Sequence, residues 1–448
     1  MKITFYGGSQ GVTGSNYLLE TDDTKILIDC GLFQGGDDQE KKNWETLAYD
    51  PAQINYVVAT HSHIDHIGRL PMLYKQGFRG KVIATGPVKA FSQIFLEDTC
   101  GLMERTANNL GTSELFNQQD VDGVIGLFET YPYGEIIKAG GAEITLHDAG
   151  HILGSSIVEI RVEGKTIIFS GDLGNPPVPL LRDTELIKST DYVVMESTYG
   201  DRDHAPAEQK KVELERAVED TVTKGGVLLM PSFAMERTQE ILYELSDLKR
   251  NKRIPDIPIY LDSPLAIKAT NIYKQFSEFY DEEAKNLLSS GKNFFDFPGL
   301  TFVEKSDQSI ELDQDKSPKV IIAGSGMSNG GRIVNHEKIY LPIESTTLLI
   351  VGFQVEGTLG RRLRDGVKDV RIMGEDVTVN ATVRPIESYS AHADQKRLLY
   401  WLSSIESPIK KVFLVHGEDT AKQALMGKIA QDLGQETVIP KEGESYEI

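Results

Sequence analysis

The chain has 448 residues, of which 40% are hydrophobic and 25% are charged, and its formal net charge at pH 7 is −20. This composition is that of an ordinary globular protein, and the length predicts two or more domains. The acidic balance argues against a large non-specific nucleic-acid surface, which is normally basic. It leaves open a local positive cleft made by bound metal ions and an arginine cluster.

The chain contains two cysteines, Cys30 and Cys100, and neither belongs to a CxxC pair. Disulfides and cysteine-ligated zinc are therefore not expected, which fits a reducing, cytoplasmic environment. The first residues lead directly into a strand-like segment without the apolar stretch of a signal peptide. No apolar run approaches the length of a membrane span, so no membrane association is expected.

Short strands and turns dominate the first two hundred residues, where apolar runs are bounded by glycines and polar residues. The strands predicted there are Lys2–Tyr6, Asn16–Glu20, Ile26–Asp29, Tyr56–Thr60, Lys81–Ala84 and Thr166–Ser170.

From about Ala205 onward, strands alternate with amphipathic helices, which predicts a parallel sheet flanked by helices. The predicted helices there are Glu208–Lys224, Glu236–Leu248 and a segment from Ala266, and the predicted strands are Val227–Met230, Ile259–Leu261, Val320–Ala323 and Thr347–Val351. The last part of the chain is predicted as a strand, a helix and a strand, at Thr382–Ile386, Gln395–Leu402 and Lys411–Val415.

A cluster of histidines follows the predicted strand Tyr56–Thr60. It reads His61-Ser62-His63-Ile64-Asp65-His66. Imidazole nitrogens and carboxylate oxygens are the ligands that Zn²⁺ takes in catalytic sites. An i, i+2 histidine pair followed by Asp-His can face two metal ions from one loop, so this segment predicts a metal site.

Further polar residues occupy the same kind of position, just past an apolar strand. Asp29, Asp172 and His416 each end or follow a predicted strand, and His151 lies between strand candidates. Because strand ends on one edge of a sheet can converge, these residues are candidate partners of the His61–His66 cluster.

Together these residues resemble the metallo-β-lactamase superfamily. The resemblance implies an α/β fold, an αβ/βα sandwich, with two Zn²⁺ per chain at the sheet edges, and Mn²⁺ is an alternative for the same ligands. It implies that one ion is held by His61, His63 and His151 and the other by Asp65, His66 and His416. It further implies that Asp172 bridges both ions and that Asp29 holds a ligand imidazole in its working tautomer.

The middle of the chain is similar to the β-CASP branch of this superfamily, whose members are nucleases. Val193–Gly200 resembles that branch's first additional motif with Glu196 as its acid, and Ser388–Asp394 resembles the second with His392. His416 takes the third position, where DNA-processing relatives typically carry an aliphatic residue, so a histidine indicates RNA processing. The Ser-Ala-His form at 390–392 is similar to the endonuclease subunit of the eukaryotic pre-mRNA cleavage machinery and its prokaryotic relatives.

The resemblance implies a first domain made of residues 1–200 and 375–448, with an inserted α/β β-CASP domain at 201–374 and RNA in the cleft between them. Asp65, Glu196 and His392 are the implied catalytic residues. In the inserted domain, the loop that contains Ser325, Gly326 and Arg332 could cradle a phosphate, with a plain turn as the alternative. Arg361 and Arg362 contact a phosphate backbone or only decorate a helix.

The sequence thus predicts a metal-dependent ribonuclease, acting as an endonuclease in RNA processing or decay. The alternatives are a catalytically silent RNA-binding partner subunit and a small-molecule metallo-hydrolase of the same superfamily. RNA is the expected partner, and the sequence leaves a homodimer open.

Overall fold

The computed structural model of the chain describes residues 1–205, 208–386 and 389–448. These residues fold into two compact units. Unit 1 comprises residues 1–203 and 391–448, and unit 2 comprises residues 204–390. Ser388, the first residue of the predicted second motif, lies outside the described residues.

The strands follow the chain in three groups. Those before residue 204 are β1 (Lys2–Gly7), β2 (Asn16–Glu20), β3 (Lys25–Ile28), β4 (Tyr56–Val58), β5 (Lys81–Ala84), β6 (Phe128–Thr130), β7 (Ile136–Ala139), β8 (Ala142–Asp148), β9 (Ser156–Val162), β10 (Lys165–Phe169) and β11 (Tyr192–Glu196). Those of unit 2 are β12 (Val227–Pro231), β13 (Ile259–Leu261), β14 (Leu300–Phe302), β15 (Lys319–Ala323), β16 (Thr347–Ile350), β17 (Asp369–Ile372), β18 (Glu375–Thr378) and β19 (Thr382–Pro385). The last group is β20 (Lys411–Val415), β21 (Thr437–Val438) and β22 (Ser445–Glu447).

The helices are interspersed with these strands. Unit 1 contains α1 (Asp37–Lys41), α2 (Ile64–Ile67), α3 (Leu70–Lys75), α4 (Gly86–Leu110) and α5 (Gln118–Ile125). Unit 2 contains α6 (Glu208–Thr223), α7 (Arg237–Arg250), α8 (Pro264–Gln275), α9 (Glu282–Ser289), α10 (Ser306–Gln314), α11 (Ile333–Tyr340) and α12 (Leu359–Arg364). Unit 1 resumes with α13 (Gln395–Ser403) and α14 (Asp419–Leu433).

The described residues of unit 1 form two seven-stranded sheets, ordered β22-β1-β2-β3-β4-β5-β6 and β21-β20-β11-β10-β9-β8-β7. Residues from both sheets, such as Val58 and Phe169, share one central core. The opposite face of the first sheet packs with Leu73 and Val121 of its helices, and that of the second with Trp401. Alternation along a strand produces these layers, and the predicted αβ/βα sandwich is confirmed.

Unit 2 contains a six-stranded sheet in its described part, ordered β14-β13-β15-β12-β16-β19, with every pair of neighbours parallel. Parallel neighbours need long crossovers, and helices such as α7 and α8 supply them. The predicted parallel sheet with flanking helices is therefore confirmed.

The end of unit 2 lies further along the chain than the predicted boundary at 374–375. That boundary falls in the β17–β18 hairpin, and unit 2 continues to Ser390. The physical reason is β19, which pairs in parallel with β16 and so extends the second sheet.

Within the parts of the chain that the structure describes, we find no helix with both the length and the apolar character that crossing a bilayer requires.

A buried ion-pair network connects three segments of unit 2. His336 on α11 is fully buried, with Nε2 2.8 Å from Asp262 and Nδ1 2.7 Å from Asp313. Burial by itself lowers the pKa of His336, but the two carboxylates outweigh it and raise the pKa to about 9. The imidazole is therefore charged at neutral pH.

This network predicts a pH-dependent contribution to stability. Because the folded pKa of His336 is raised, its contribution is fully present below the unfolded value of about 6.5 and is lost as the pH rises through about 9. His336→Gln should lower the free energy of unfolding by roughly 3–5 kcal/mol near pH 6.5. Urea denaturation should show that this difference from the wild type shrinks towards pH 10.

Lys338→Gln is the matched control on the same helix, since Lys338 pairs with Glu375 at the surface. It should change the free energy of unfolding by less than about 1 kcal/mol. A His336→Gln difference that stays constant from pH 6.5 to pH 10 would show that the imidazole is neutral in the folded chain.

Candidate metal centre

The polar residues that follow the strands of unit 1 meet at one edge of the sandwich. Asp29 directly follows β3, and the His61–His66 segment lies just past β4, its parallel neighbour. On the other sheet, Asp172 follows β10, and His416 follows β20. β10 and β20 both pair in parallel with β11, so their carboxyl ends reach the same edge.

One cluster contains three imidazoles. His61 Nε2 lies 3.1 Å from His63 Nδ1, and His151 Nε2 lies 3.2 Å from the same atom. Asp172 Oδ2 is 3.4 Å from His61 Nε2. One ligand atom from each of these residues falls within 4.8 Å of the others, which is a spacing that can hold a metal ion.

A second cluster adjoins the first through the same carboxylate. Asp65, His66 and His416 bring their ligand atoms within 4.8 Å of one another. Asp172 Oδ1 lies 3.4 Å from His66 Nε2 and 3.7 Å from His416 Nε2. The two oxygens of Asp172 therefore face different clusters.

Residues outside the two clusters lie within hydrogen-bond distance of the second ring nitrogen of His66 and of His416. Asp29 Oδ2 lies 2.7 Å from His66 Nδ1, and Thr60 donates to both oxygens of Asp29 at 2.8 Å. Ser15 Oγ lies 2.9 Å from His416 Nδ1. Such outer partners set the tautomer and ring orientation of ligand histidines.

The electrostatics fit a cation in these clusters. Burial lowers the pKa of His63 and of His416 to about 3, despite Asp172, so both are neutral with a free lone pair. Burial by itself would lower the pKa of His66 too, but Asp172 and Asp29 outweigh it and raise that pKa well above its usual value.

Two atoms between the clusters are left without hydrogen bonds. Among the described residues, His66 Nε2 and Asp172 Oδ1 are buried and have no hydrogen-bond partner. Unsatisfied buried groups are costly, and a coordinated cation would satisfy both. The donor set of imidazoles and carboxylates thus fits a divalent metal ion.

Glu196 and His392 lie beside the clusters, although 196 positions separate them along the chain. His392 Nδ1 is 3.3 Å from Glu196 Oε1 and 3.8 Å from Asp172 Oδ2. Leu173 donates its backbone N–H to the same Glu196 oxygen at 2.7 Å. Burial would lower the pKa of His392, but the nearby carboxylates, chiefly Glu196, raise it to about 9. Glu196 and His392 thus lie within hydrogen-bond reach of each other.

The predicted substrate-binding residues all belong to unit 2. Ser325 Oγ accepts the backbone N–H of Asn329 at 3.0 Å within their loop, which also includes Gly326. The guanidinium of Arg332 already has partners within the chain, because it donates to Asp262 and to two backbone carbonyls.

Arg361 and Arg362 of α12 have contacts nearer to the surface. Arg361 pairs with Asp365 at 2.8 Å, and Arg362 donates to the Asp369 carbonyl at 3.4 Å. Their contact with a phosphate backbone, like that of Ser325, Gly326 and Arg332, stays a prediction.

Sequence reasoning missed Ser15 and the backbone conformation of two site residues. Asp29 and His416 have φ values of 59° and 48°, in the left-handed region that non-glycine residues seldom occupy. Strained residues of this kind cluster at functional sites. A serine between Gly14 and Asn16 looks like an ordinary turn residue, so no local signal could have identified Ser15.

Three family models match successive parts of the chain. A metallo-β-lactamase superfamily domain matches residues 18–196, and a β-CASP domain matches residues 238–363. A Zn-dependent metallo-hydrolase RNA specificity domain matches residues 376–440.

Similar proteins span nearly the whole chain. A ribonuclease from Thermus thermophilus is 38% identical over 448 residues, which is 100% of both chains. A transcription termination factor from Methanosarcina mazei is 30% identical over 98% of this chain and 70% of its own. Among solved structures, a protein of unknown function from Enterococcus faecalis matches with a TM-score of 0.56 and 14% identity, covering 99% of both chains, which shows likeness of fold.

From the geometry of the two clusters we expect single substitutions to change the amount of bound divalent ion. Asp172→Asn should remove most of the bound divalent ion, because it alters the carboxylate that both clusters share. Asp29→Asn should weaken metal binding by roughly 10–100-fold, since Asp29 acts only through His66. Inductively coupled plasma mass spectrometry after dialysis against graded chelator measures both.

His147→Ala is the matched control, because His147 lies in unit 1 but is paired with Glu159 and Glu185 outside the clusters. It should retain the wild-type metal content. Equal metal retention by Asp172→Asn and His147→Ala would exclude the shared-carboxylate arrangement.

Proposed function

The chain belongs to the β-CASP family of the metallo-β-lactamase superfamily, and on that basis we propose that it is a metal-dependent ribonuclease. The observation that carries this proposal is the pair of adjoining histidine clusters that share Asp172. The similarity to a ribonuclease over the full length and the match to an RNA specificity domain support RNA as the substrate.

The site would hold two divalent ions, with Zn²⁺ as the first choice and Mn²⁺ as the alternative for nitrogen and oxygen ligands. One ion would be held by His61, His63, His151 and Asp172, and the other by Asp65, His66, His416 and Asp172. When bound, such ions lower the pKa of a coordinated water and stabilise charge on a scissile phosphate.

Residues of the chain itself would supply orientation and a proton. Asp29 and Ser15 hold the ligand imidazoles from behind. His392 is positioned by Glu196, which also accepts the backbone N–H of Leu173. With its pKa raised, His392 carries a proton at neutral pH that it can give to the departing oxygen of the phosphodiester. Asp65, whose pKa burial raises to about 6, is the remaining catalytic candidate.

Several narrower expectations are part of the same proposal. The Ser-Ala-His sequence at 390–392 supports endonucleolytic cleavage, and Ser325, Gly326, Arg332, Arg361 and Arg362 are proposed to contact RNA. The cysteine usage supports a cytoplasmic location, and the proposal leaves a homodimer open. The compact units support a metallo-β-lactamase domain in two parts with a β-CASP domain inserted between them.

Circular RNA tests the reaction and its mode together. The purified chain, supplied with Zn²⁺ or Mn²⁺, should cleave a circular single-stranded RNA, which has no end for an exonuclease to enter. Denaturing gel electrophoresis detects the linear product, and the His63→Ala variant is the matched control. Cleavage of linear RNA alone would contradict the endonuclease assignment. Failure to cleave either RNA in the metal-loaded state would contradict the ribonuclease proposal.

The proton-donor assignment predicts a separation of chemistry from binding. His392→Ala should keep the wild-type metal content and RNA affinity but cleave about 10²–10⁴-fold more slowly in single-turnover assays. Glu196→Gln should lose less activity. It should also shift the basic limb of the pH–rate profile to lower pH, because the carboxylate charge that raises the pKa of His392 is removed. An unchanged single-turnover rate for His392→Ala would show that the pair is only architectural.

A further inference from the structure

Two exposed phenylalanines lie at the same edge of the unit 2 sheet. Phe233 is 39% exposed and Phe353 is 56% exposed. Among the described residues, they are the phenylalanines with highly exposed side chains. Phe233 follows β12 and Phe353 follows β16, and these neighbouring strands are parallel. Both side chains therefore leave the carboxyl edge of the sheet, where open α/β sheets commonly bind ligands.

The Phe233 ring packs closely against two glycines. A Cβ atom at Gly326 would lie 2.8 Å from the Phe233 ring, and one at Gly352 would lie 3.1 Å from it. The side-chain amide of buried Gln354 donates to the carbonyls of both glycines, at 2.9 and 3.1 Å. One side of the ring thus packs against two backbone segments that the Gln354 amide links by hydrogen bonds.

The backbone of Phe233 is fixed as well, because its carbonyl accepts the hydroxyl of Thr238 at 2.6 Å. Phe353 directly follows Gly352, so it lies next to the glycine that supports the Phe233 ring. We call Phe233, Phe353 and the two supporting glycines the aromatic shelf.

A short helix rich in arginine begins at the loop that supports the aromatic shelf. Helix α12 begins against the loop that contains Gly326, since Gly360 N–H donates to the Met327 carbonyl at 3.1 Å. The helix presents Arg361, Arg362 and Arg364 within two turns of that contact. On a chain with a net charge of −20, this cationic helix beside exposed rings is suited to a ligand that combines flat apolar groups with negative charge.

We propose that the aromatic shelf stacks bases of single-stranded RNA, an inference that rests on the proposed ribonuclease function. Every nucleobase has an aromatic face, and single-stranded RNA exposes those faces for stacking on phenylalanine. The phosphates between the bases complement the arginines of α12. Stacking of this kind tolerates any base sequence. The shelf therefore increases the affinity for RNA without selecting particular bases.

Binding measurements on matched oligonucleotides test the shelf. The ligands are a 12-nucleotide phosphorothioate RNA, which resists cleavage, and an abasic oligonucleotide of the same backbone and length. Phe233→Leu and Phe353→Leu should each weaken binding of the base-bearing RNA about tenfold in fluorescence anisotropy, since each removes the ring on which one base stacks. Phe233→Tyr and Phe353→Tyr, which keep the ring, should bind like the wild type. All variants should bind the abasic oligonucleotide like the wild type.

Ile310→Ala is the control for loss of exposed apolar surface elsewhere in unit 2, since Ile310 on α10 is 61% exposed. It should leave both affinities unchanged. Leucine variants that bind base-bearing RNA like the wild type, or that lose equal affinity for the abasic oligonucleotide, would overturn the shelf assignment.

Two further outcomes separate this inference from its premise. A change in oligomeric mass of the leucine variants without a change in RNA affinity would overturn it in favour of contact between copies of the chain. If wild-type protein cleaves circular RNA while the leucine variants bind RNA normally, only the shelf fails. If wild-type protein neither binds nor cleaves RNA, the ribonuclease proposal fails and the shelf with it.

Discussion

The buried carboxylate of Asp172 is the constraint around which unit 1 is organised. A carboxylate removed from water costs several kcal/mol unless charges or hydrogen bonds compensate for it. Here three imidazoles face its two oxygens from two segments, since His61 and His66 follow β4 and His416 follows β20. Each of these segments starts where a buried strand ends. The position of Asp172 therefore depends on the register of both sheets of the sandwich.

The cluster is completed only by residues that follow the inserted unit. His392 and His416 belong to the last part of the chain, which joins unit 1 through parallel pairing of β20 with β11 and antiparallel pairing of β22 with β1. Pairing at such long sequence separation is entropically costly and slow to form. The first two hundred residues can thus supply most of the ligands, but the site closes only when the final segment adds its strands to both sheets.

The sequence predicted the fold class and which residues gather at this edge of the sandwich, but not every strand or contact around them. The segment from His61 to His66 is contiguous, and Asp172 and His416 each follow an apolar run, so their local context identified them. The meander β7–β9 was not predicted, although Ala142–Asp148 alternates in burial as a half-exposed strand does. The hydrogen bond of Ser15 with His416 spans 401 positions, and no local pattern encodes such a contact. Arg332 has the chemistry of a phosphate ligand, but only the structure shows that Asp262 occupies its guanidinium.

The left-handed backbone of His416 restricts which residues its position accepts. Its N–H donates to the Gly8 carbonyl and its own carbonyl accepts from Ser197 and Thr198, so the φ of 48° is fixed from both sides. Asn, Asp and His tolerate this region, whereas a β-branched residue there is a genuine outlier. A β-branched residue in place of His416 would therefore add backbone strain to this loop as well as removing an imidazole from the cluster.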